Sequence, residues 1–388
     1  MIGGPLAGLR VVDAGVLFAA PLCGTLLGDF GADVIKVEHP SGDPLRSFGW
    51  QEDGESVWWK VVGRNKRSVV LDLGEPDAQD AFRRLAATAD VVLESFRPGT
   101  FERWNLSYDT LAEHNPGLIL LRTSGYGQTG PYSSLPGFGT LAEAMSGFAA
   151  VTGKSDDPPT LPSIALADGV AAVTGAFMVM SAIHHRGVSG VGQVIDLSLV
   201  EPLFWLLGPQ VTVFDRLGEV QGREGNRTPF SAPRNLYETS DGKWIAMSGS
   251  SQTTALRVLR VVGGEELVND PRFATNSLRV ENSEALDGVI AGWVRRHTRD
   301  DALAKFRAGE AAVGPVYDAS DIVTDPHFAE RDALTRVEGI LMQNLIAKLS
   351  ATPGSIRRPA PTLGQHTQEI MSELGLDEIG EAMVQETV

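Results

Sequence analysis

Residues 162–185 read PSIALADGVAAVTGAFMVMSAIHH, with Asp168 as their only carboxylate and no charged residue between positions 169 and 183. Apolar and small side chains fill nearly every position of that run, which predicts a helix apolar all round and therefore buried. Its Gly, Ala and Ser residues let neighbouring elements approach closely. Asp168 stands at the mouth of this helix, where free N–H groups and the helix dipole stabilise a negative charge. Two roles are open to it. It is an N-cap, or it is an ionised carboxylate held in a partly dry site and ready to act as a nucleophile.

A buried helix needs a sheet to lie on, and the flanking sequence supplies one. Short β-branched runs at 9–13, 33–38, 67–73, 91–96, 118–123 and 194–197 alternate with helical patterns at 21–30, 76–89, 108–114 and 140–150. That alternation predicts α/β layering around a mainly parallel sheet. At 218–233 the composition turns to Gly, Arg, Asn and Pro without periodicity, the mark of a linker. A hairpin turning at Asp241-Gly242 follows, then helices near 254–262, 284–296 and 299–307 and a strand at 311–317, as in a smaller α+β domain. The expected organisation is a large α/β domain of residues 1–217 and 332–388, a linker at 218–235, and a small domain at 236–331.

A chain of 388 residues exceeds the size at which one core keeps growing. The net charge of -16 argues against nucleic acid as a main partner. A single cysteine, Cys23, excludes an internal disulfide and lies in an apolar segment as a small hydrophobe. No signal peptide or membrane-length apolar run is read, so a cytoplasmic location without membrane association is expected. No metal-binding cluster, nucleotide P-loop or G-x-S-x-G elbow stands out. Gly125-Tyr-Gly127-Gln-Thr-Gly130 fits the dinucleotide fingerprint by letter, yet PYSSLP follows where a helix must open, so it reads as a Gly-rich loop. His184 and His185 end the apolar helix in a dipole or cap role. Arg64, Lys66, Arg67, Arg97 and Arg103 gather within or close to the first hundred positions. Such a cluster is either solvated loop or the seat of a phosphorylated ligand. Arg97 follows directly on a strand, at the edge where open α/β sheets bind ligands.

The segments PLAGLRVVD (5–13), GADVIKVEHPSGD (31–43), NKRSVVLDL (65–73) and ESFRPG (94–99) form one recognisable series. SGYGQTGP (124–131), LADG (166–169), GQVIDLSL (192–199) and GPVYDASDIVTDPHF (314–328) continue it. In this order they resemble the family III CoA-transferases, the group that includes formyl-CoA transferase, carnitine CoA-transferase and α-methylacyl-CoA racemase. The resemblance implies a large Rossmann-like α/β domain with a smaller α+β domain in an interlocked homodimer. It also implies an enzyme with no permanently bound cofactor, using coenzyme A thioesters and carboxylic acids as substrates. Asp168 would be the nucleophile, forming an acyl anhydride and then an aspartyl-CoA thioester. CoA contacts would fall on Phe18, Ala19, His39, Leu71, Gly74, Ser95, Phe96, Arg97 and Arg103, with His39 and the two arginines facing phosphates. Phe138 and Gly139 would lie at the substrate.

Departures from the family pattern narrow the chemistry. Racemising relatives carry a His where Gly137-Phe138-Gly139 stands, and proton exchange at an α-carbon needs two acid/base groups. Formyl-specific relatives carry Gln at the position of Phe18, Tyr-Glu at Phe138-Gly139, and a glycine run in the small domain. Here a polar loop, Ser248-Gly-Ser-Ser-Gln252, takes that place and is expected to face the acyl group. The alternatives are an acyl-CoA racemase or isomerase, and a non-catalytic CoA-binding protein. The donor and acceptor acids are not legible.

Overall fold

The computed structural model describes residues 3–377. The β-branched runs form β1 (Arg10–Asp13), β2 (Asp33–Glu38), β3 (Lys66–Val70), β4 (Val91–Glu94), β5 (Ile119–Ser124) and β6 (Gln193–Ser198). They pair in the order β3-β2-β1-β4-β5-β6, every pair parallel. Strand order reverses between β1 and β4, and in open α/β sheets ligands bind beyond the strand ends at such a reversal.

Successive side chains of a strand point to opposite faces, and here they feed two different layers. Val12, Val92 and Leu120 join Phe82 and Leu85 of the helix Pro76–Ala87 and Ile370 and Met371 of the helix Thr367–Glu373. Val11, Val91, Leu93 and Leu121 pack on the other face against α1 (Ala19–Asp29) and the long apolar helix. The predicted helix at 140–150 is broken at Gly147 (φ 96°). Its parts are α2 (Gly139–Met145) and the short helix Phe148–Val151.

The long apolar helix is α3 (Leu166–Ser189). Its small residues are spent as expected: a Cβ on Gly175 would stand 3.0 Å from Leu121 and 3.5 Å from the Cys23 sulfur. The expectation of burial on all sides fails. Ala171, Ala172, Gly175, Val179 and Ala182 face the core, whereas Val173, Phe177 (67% exposed), Met180 and Val188 (82%) form an open stripe at helical spacing. The helix also runs past His184 and His185, which are exposed. Gly190 (φ 74°) ends it, and the Arg186 guanidinium donates to Asp90 and the Gly117 carbonyl. With 24 residues α3 is long and apolar enough to cross a membrane by length and composition alone, contrary to the expectation that no run reaches that length. Its packed face makes it the core helix of this layer.

The chain divides into two compact units. The first holds the six-stranded sheet and comprises the described parts of Met1–Phe148, Leu161–Gln210 and Glu330–Val388. It includes a hairpin, Leu334–Val337 with Ile340–Gln343, that the sequence pattern did not reveal. The second unit, Ala149–Thr160 and Val211–Ala329, carries an antiparallel sheet of β7 (Arg234–Glu238), β8 (Trp244–Ser248) and β9 (Val313–Pro315) in the order β9-β8-β7. Ile245 and Met247 of that sheet share a core with Leu259, Ile290 and Phe306 from its helices.

Candidate active site

The loops that leave β1 and β4 meet at the strand-order reversal. Val16 N–H donates to Ser95 Oγ at 2.8 Å, and Phe96 N–H donates to the buried Glu94 carboxylate at 2.7 Å. Beneath the first loop lies a set of fully buried charges. Asp13 accepts from Gly15 N–H at 3.1 Å and from Lys66 Nζ at 2.8 Å. Lys36 donates to the Gly15 carbonyl and pairs with Asp43 at 3.2 Å, and Asp43 in turn accepts from Leu17 N–H at 3.2 Å. Leu17 sits at φ 64°, a left-handed conformation that costs a branched residue about 1–2 kcal/mol. The ionic network holds the loop in that shape.

This loop separates two cavities. One, of about 440 Å³, is lined by His39, Leu71, Gly74 and Phe96 together with Val16 and Trp104. The other, of about 870 Å³, is lined by Phe18, Trp58, Phe138, Gly139, Glu143 and Asp168 among others. Ala19 opens α1 directly behind the loop, and Ser95 fastens it. Eight of the twelve predicted site residues therefore line one of the two cavities, and Ala19 and Ser95 shape the wall between them. Arg97 and Arg103 line neither. Both are exposed on the segment after β4, and neither has a carboxylate partner among the described residues.

Arg64, Lys66 and Arg67 leave the list of phosphate candidates. Each is buried and neutralised: Arg64 by Asp29 at 2.6 Å, Lys66 by Asp13 at 2.8 Å, and Arg67 by Asp33 and Glu373, both at 2.7 Å. Cys23 is buried, and burial pushes its thiol up to about 12, which suits a packing role. The 125–130 segment forms a loop rather than a helix, as expected. Gly125 packs backbone to backbone on Gly137, bracing the approach to Phe138. The Ser248–Gln252 loop lies in the second unit, where Ser251 caps the helix Gln252–Val268.

Asp168 is not the N-cap of α3. It occupies the third helical position, and the first two amides, Leu166 N–H and Ala167 N–H, both donate to Glu143 Oε1, at 3.1 and 3.2 Å. Glu143 comes from α2 and is 3% exposed. It was missed in the sequence, where its signal was a lone carboxylate inside an apolar helix. With the cap supplied from elsewhere, the Asp168 side chain has no side-chain partner among the described residues. Burial first, and the Glu143 charge second, push its carboxyl up to about 6 from the ordinary 3.8. Among the described residues, Asp168 and Glu143 are the only ionisable groups lining this cavity, whose walls are otherwise mostly aromatic and aliphatic. The backbone of Gly139 lies directly against Asp168 Oδ2, where any Cβ would overlap it. No group of His, Cys, Asp or Glu able to hold a metal occurs among the described residues.

The arrangement presents a basic, uncapped carboxylate on an apolar cavity, with a second cavity across a thin loop. Comparison with known proteins gives a consistent picture. The family model described as CoA-transferase family III matches residues 6–367. A succinyl-CoA–D-citramalate CoA-transferase of Chloroflexus aurantiacus is 42% identical, covering 98% of this chain and 97% of its own. A succinate–glutarate CoA-transferase of Agrobacterium fabrum is 32% identical, covering 95% and 96%. The crystal structure of a CAIB/BAIF family protein from Brucella suis superposes with a TM-score of 0.87 at 32% identity, covering 96% of this chain and all of the other.

Proposed function

Because this chain belongs to the family III CoA-transferases and is an enzyme that transfers CoA between an acyl-CoA and an acid, we propose that Asp168 carries the transfer covalently. An Asp168 oxygen attacks the thioester carbon of the donor, the C–S bond breaks, and CoA leaves as a thiolate. The product is a mixed anhydride. The thiolate then attacks the Asp168 carbonyl carbon, releasing the donor acid as its carboxylate and leaving an aspartyl-CoA thioester. The acceptor carboxylate attacks that thioester and frees the thiolate again. Thiolate attack on the acceptor's acyl carbon delivers the new acyl-CoA and restores Asp168. No proton is consumed and no external base is needed, which suits a carboxylate with no basic neighbour. The observation that carries this reading is the release of Asp168 from capping by Glu143.

CoA would thread from the His39–Phe96 cavity across the loop to Asp168, its phosphates drawn to Arg97 and Arg103. Arg97→Ala and Arg103→Ala are each expected to raise the KM for acyl-CoA roughly three- to thirtyfold, the loss of one charge-assisted contact. Turnover at saturation should change little. Steady-state kinetics against acyl-CoA concentration tests this, and an unchanged KM in both would remove the phosphate role.

Asp168 attacks only when ionised. Its carboxyl is raised to about 6, so kcat/KM is expected to be flat above pH 7 and to fall about tenfold per unit well below pH 6. A profile measured between pH 4.5 and 8.5 checks the midpoint. The two relatives' names concern succinyl-CoA or succinate, and we carry a short dicarboxylic acyl-CoA over as the donor class. A screen of acyl-CoA donors against carboxylic acids, read by mass, tests that choice. Preference for a monocarboxylic donor would overturn it. Racemisation is not adopted, because Phe138 offers no base and Glu143 is turned to the amides of α3. The homodimer reading is supported by the open apolar stripe of α3, which a second copy would cover.

A further inference from the structure

We propose that Glu143 is a positioning residue that drives Asp168 toward acylation: it takes the helix amides for itself and keeps a second negative charge beside the nucleophile. This rests on the nucleophile reading of Asp168 given above. Three observations carry it. Glu143 is 3% exposed and lines the same cavity as Asp168. One of its oxygens accepts from both Leu166 N–H and Ala167 N–H, so the first two amides of α3 are satisfied by Glu143 and only the Asp168 N–H is left to the nucleophile's own carboxylate. Among the described residues lining the cavity none is Lys, Arg or His, and only Glu143 and Asp168 ionise.

The consequence follows from charge bookkeeping along the reaction. In the free enzyme two carboxylates face one apolar space, a repulsion that raises the basicity of Asp168. Once Asp168 becomes an anhydride or a thioester its charge is gone and the repulsion disappears. Glu143 therefore destabilises the resting nucleophile and not the adduct, which accelerates formation of the adduct. A plain cap would leave the reaction untouched. α2 thus serves Asp168 at both ends, with Gly139 giving the carboxylate room and Glu143 giving it a like-charged neighbour.

Glu143→Gln separates the two duties, since the amide oxygen still accepts from both N–H groups while the charge is lost. The expected result is a melting temperature close to wild type and an unchanged KM for acyl-CoA. The acid-limb midpoint of the single-turnover acylation rate should move down by about one pH unit. The plateau rate should fall about two- to fivefold, as a less basic nucleophile reacts more slowly. Glu143→Ala should show the same pH shift together with a lower melting temperature from the lost cap. An acid limb that stays in place in Glu143→Gln overturns the inference and leaves Glu143 a structural cap. The covalent mass on the Asp168 peptide is read in the same samples: its presence in wild type with an unmoved limb sinks only this inference, and its absence in wild type sinks the nucleophile reading as well.

Discussion

Asp168→Ala is expected to fold normally and to lose CoA transfer by a factor of roughly 10³ or more, because the other carboxylate lining the cavity, Glu143, is held on the amides of α3. The stability half of this result is the sharper one. An N-cap replaced by Ala costs about 1 kcal/mol, but the cap of the first two α3 amides is Glu143, so Asp168→Ala loses only the contact of the carboxylate with its own backbone N–H. The carboxyl of Asp168 is raised from 3.8 to about 6. Its penalty on the folded state is absent below the lower value and fully present above the upper one. At pH 7 that amounts to an order of 3 kcal/mol, offset in part by lost packing. The variant's melting temperature at pH 7.5 should match or exceed that of wild type by a few degrees, and the two should converge near pH 4. A melting temperature lower by several degrees at neutral pH would return Asp168 to a capping role.

Gly139→Ala should have the second-largest effect. Gly139 is the first residue of α2, its backbone lies against Asp168 Oδ2, and a methyl there would overlap that oxygen. The oxygen is the end of a rotatable side chain, so the fold yields easily; Ala also suits a helix better than Gly. Stability is therefore held or slightly raised, while the nucleophile is pushed aside. A displacement near 1 Å at the reacting atom costs about 10²-fold, and the loss should appear in kcat more than in KM. Turnover within twofold of wild type would mean that the observed position of Asp168 is not the reactive one.

Much of the first unit was legible because five of its six strands, β1 to β5, are covered on both faces and so read as continuous apolar runs, while the edge strand β6 is largely exposed. Asp33–Glu38 was placed to the residue, and the remaining five strands of the sheet to within a few residues. The helix expected at 21–30 stops before Gly31, whose left-handed backbone (φ 113°) suits glycine, whereas the apolar helix, expected to end at His184 and His185, runs on to Gly190. What the sequence hid was tertiary. Nothing local in LAEAM says that Glu143 reaches across 23 positions to cap α3. Nor does a run of small and apolar residues say which of its faces will meet the sheet, so the open stripe of Phe177 and Val188 came only from the packing. The charges of Arg64, Lys66 and Arg67 looked available for the same reason, since their partners Asp29, Asp13 and Asp33 lie on other elements. The resemblance supplied the site residues on the loops after strands, and of these Phe18, His39, Leu71, Gly74 and Phe96 line a cavity while Arg97 and Arg103 do not.

Incubation with an acyl-CoA and no acceptor acid, followed by mass analysis of the peptide that contains Asp168, puts the central claim to its most direct test. A CoA thioester on that aspartate is expected, removed by hydroxylamine and absent from Asp168→Ala. Efficient CoA transfer with an Asp168 peptide that never gains mass, or with an adduct that survives in Asp168→Ala, would contradict it.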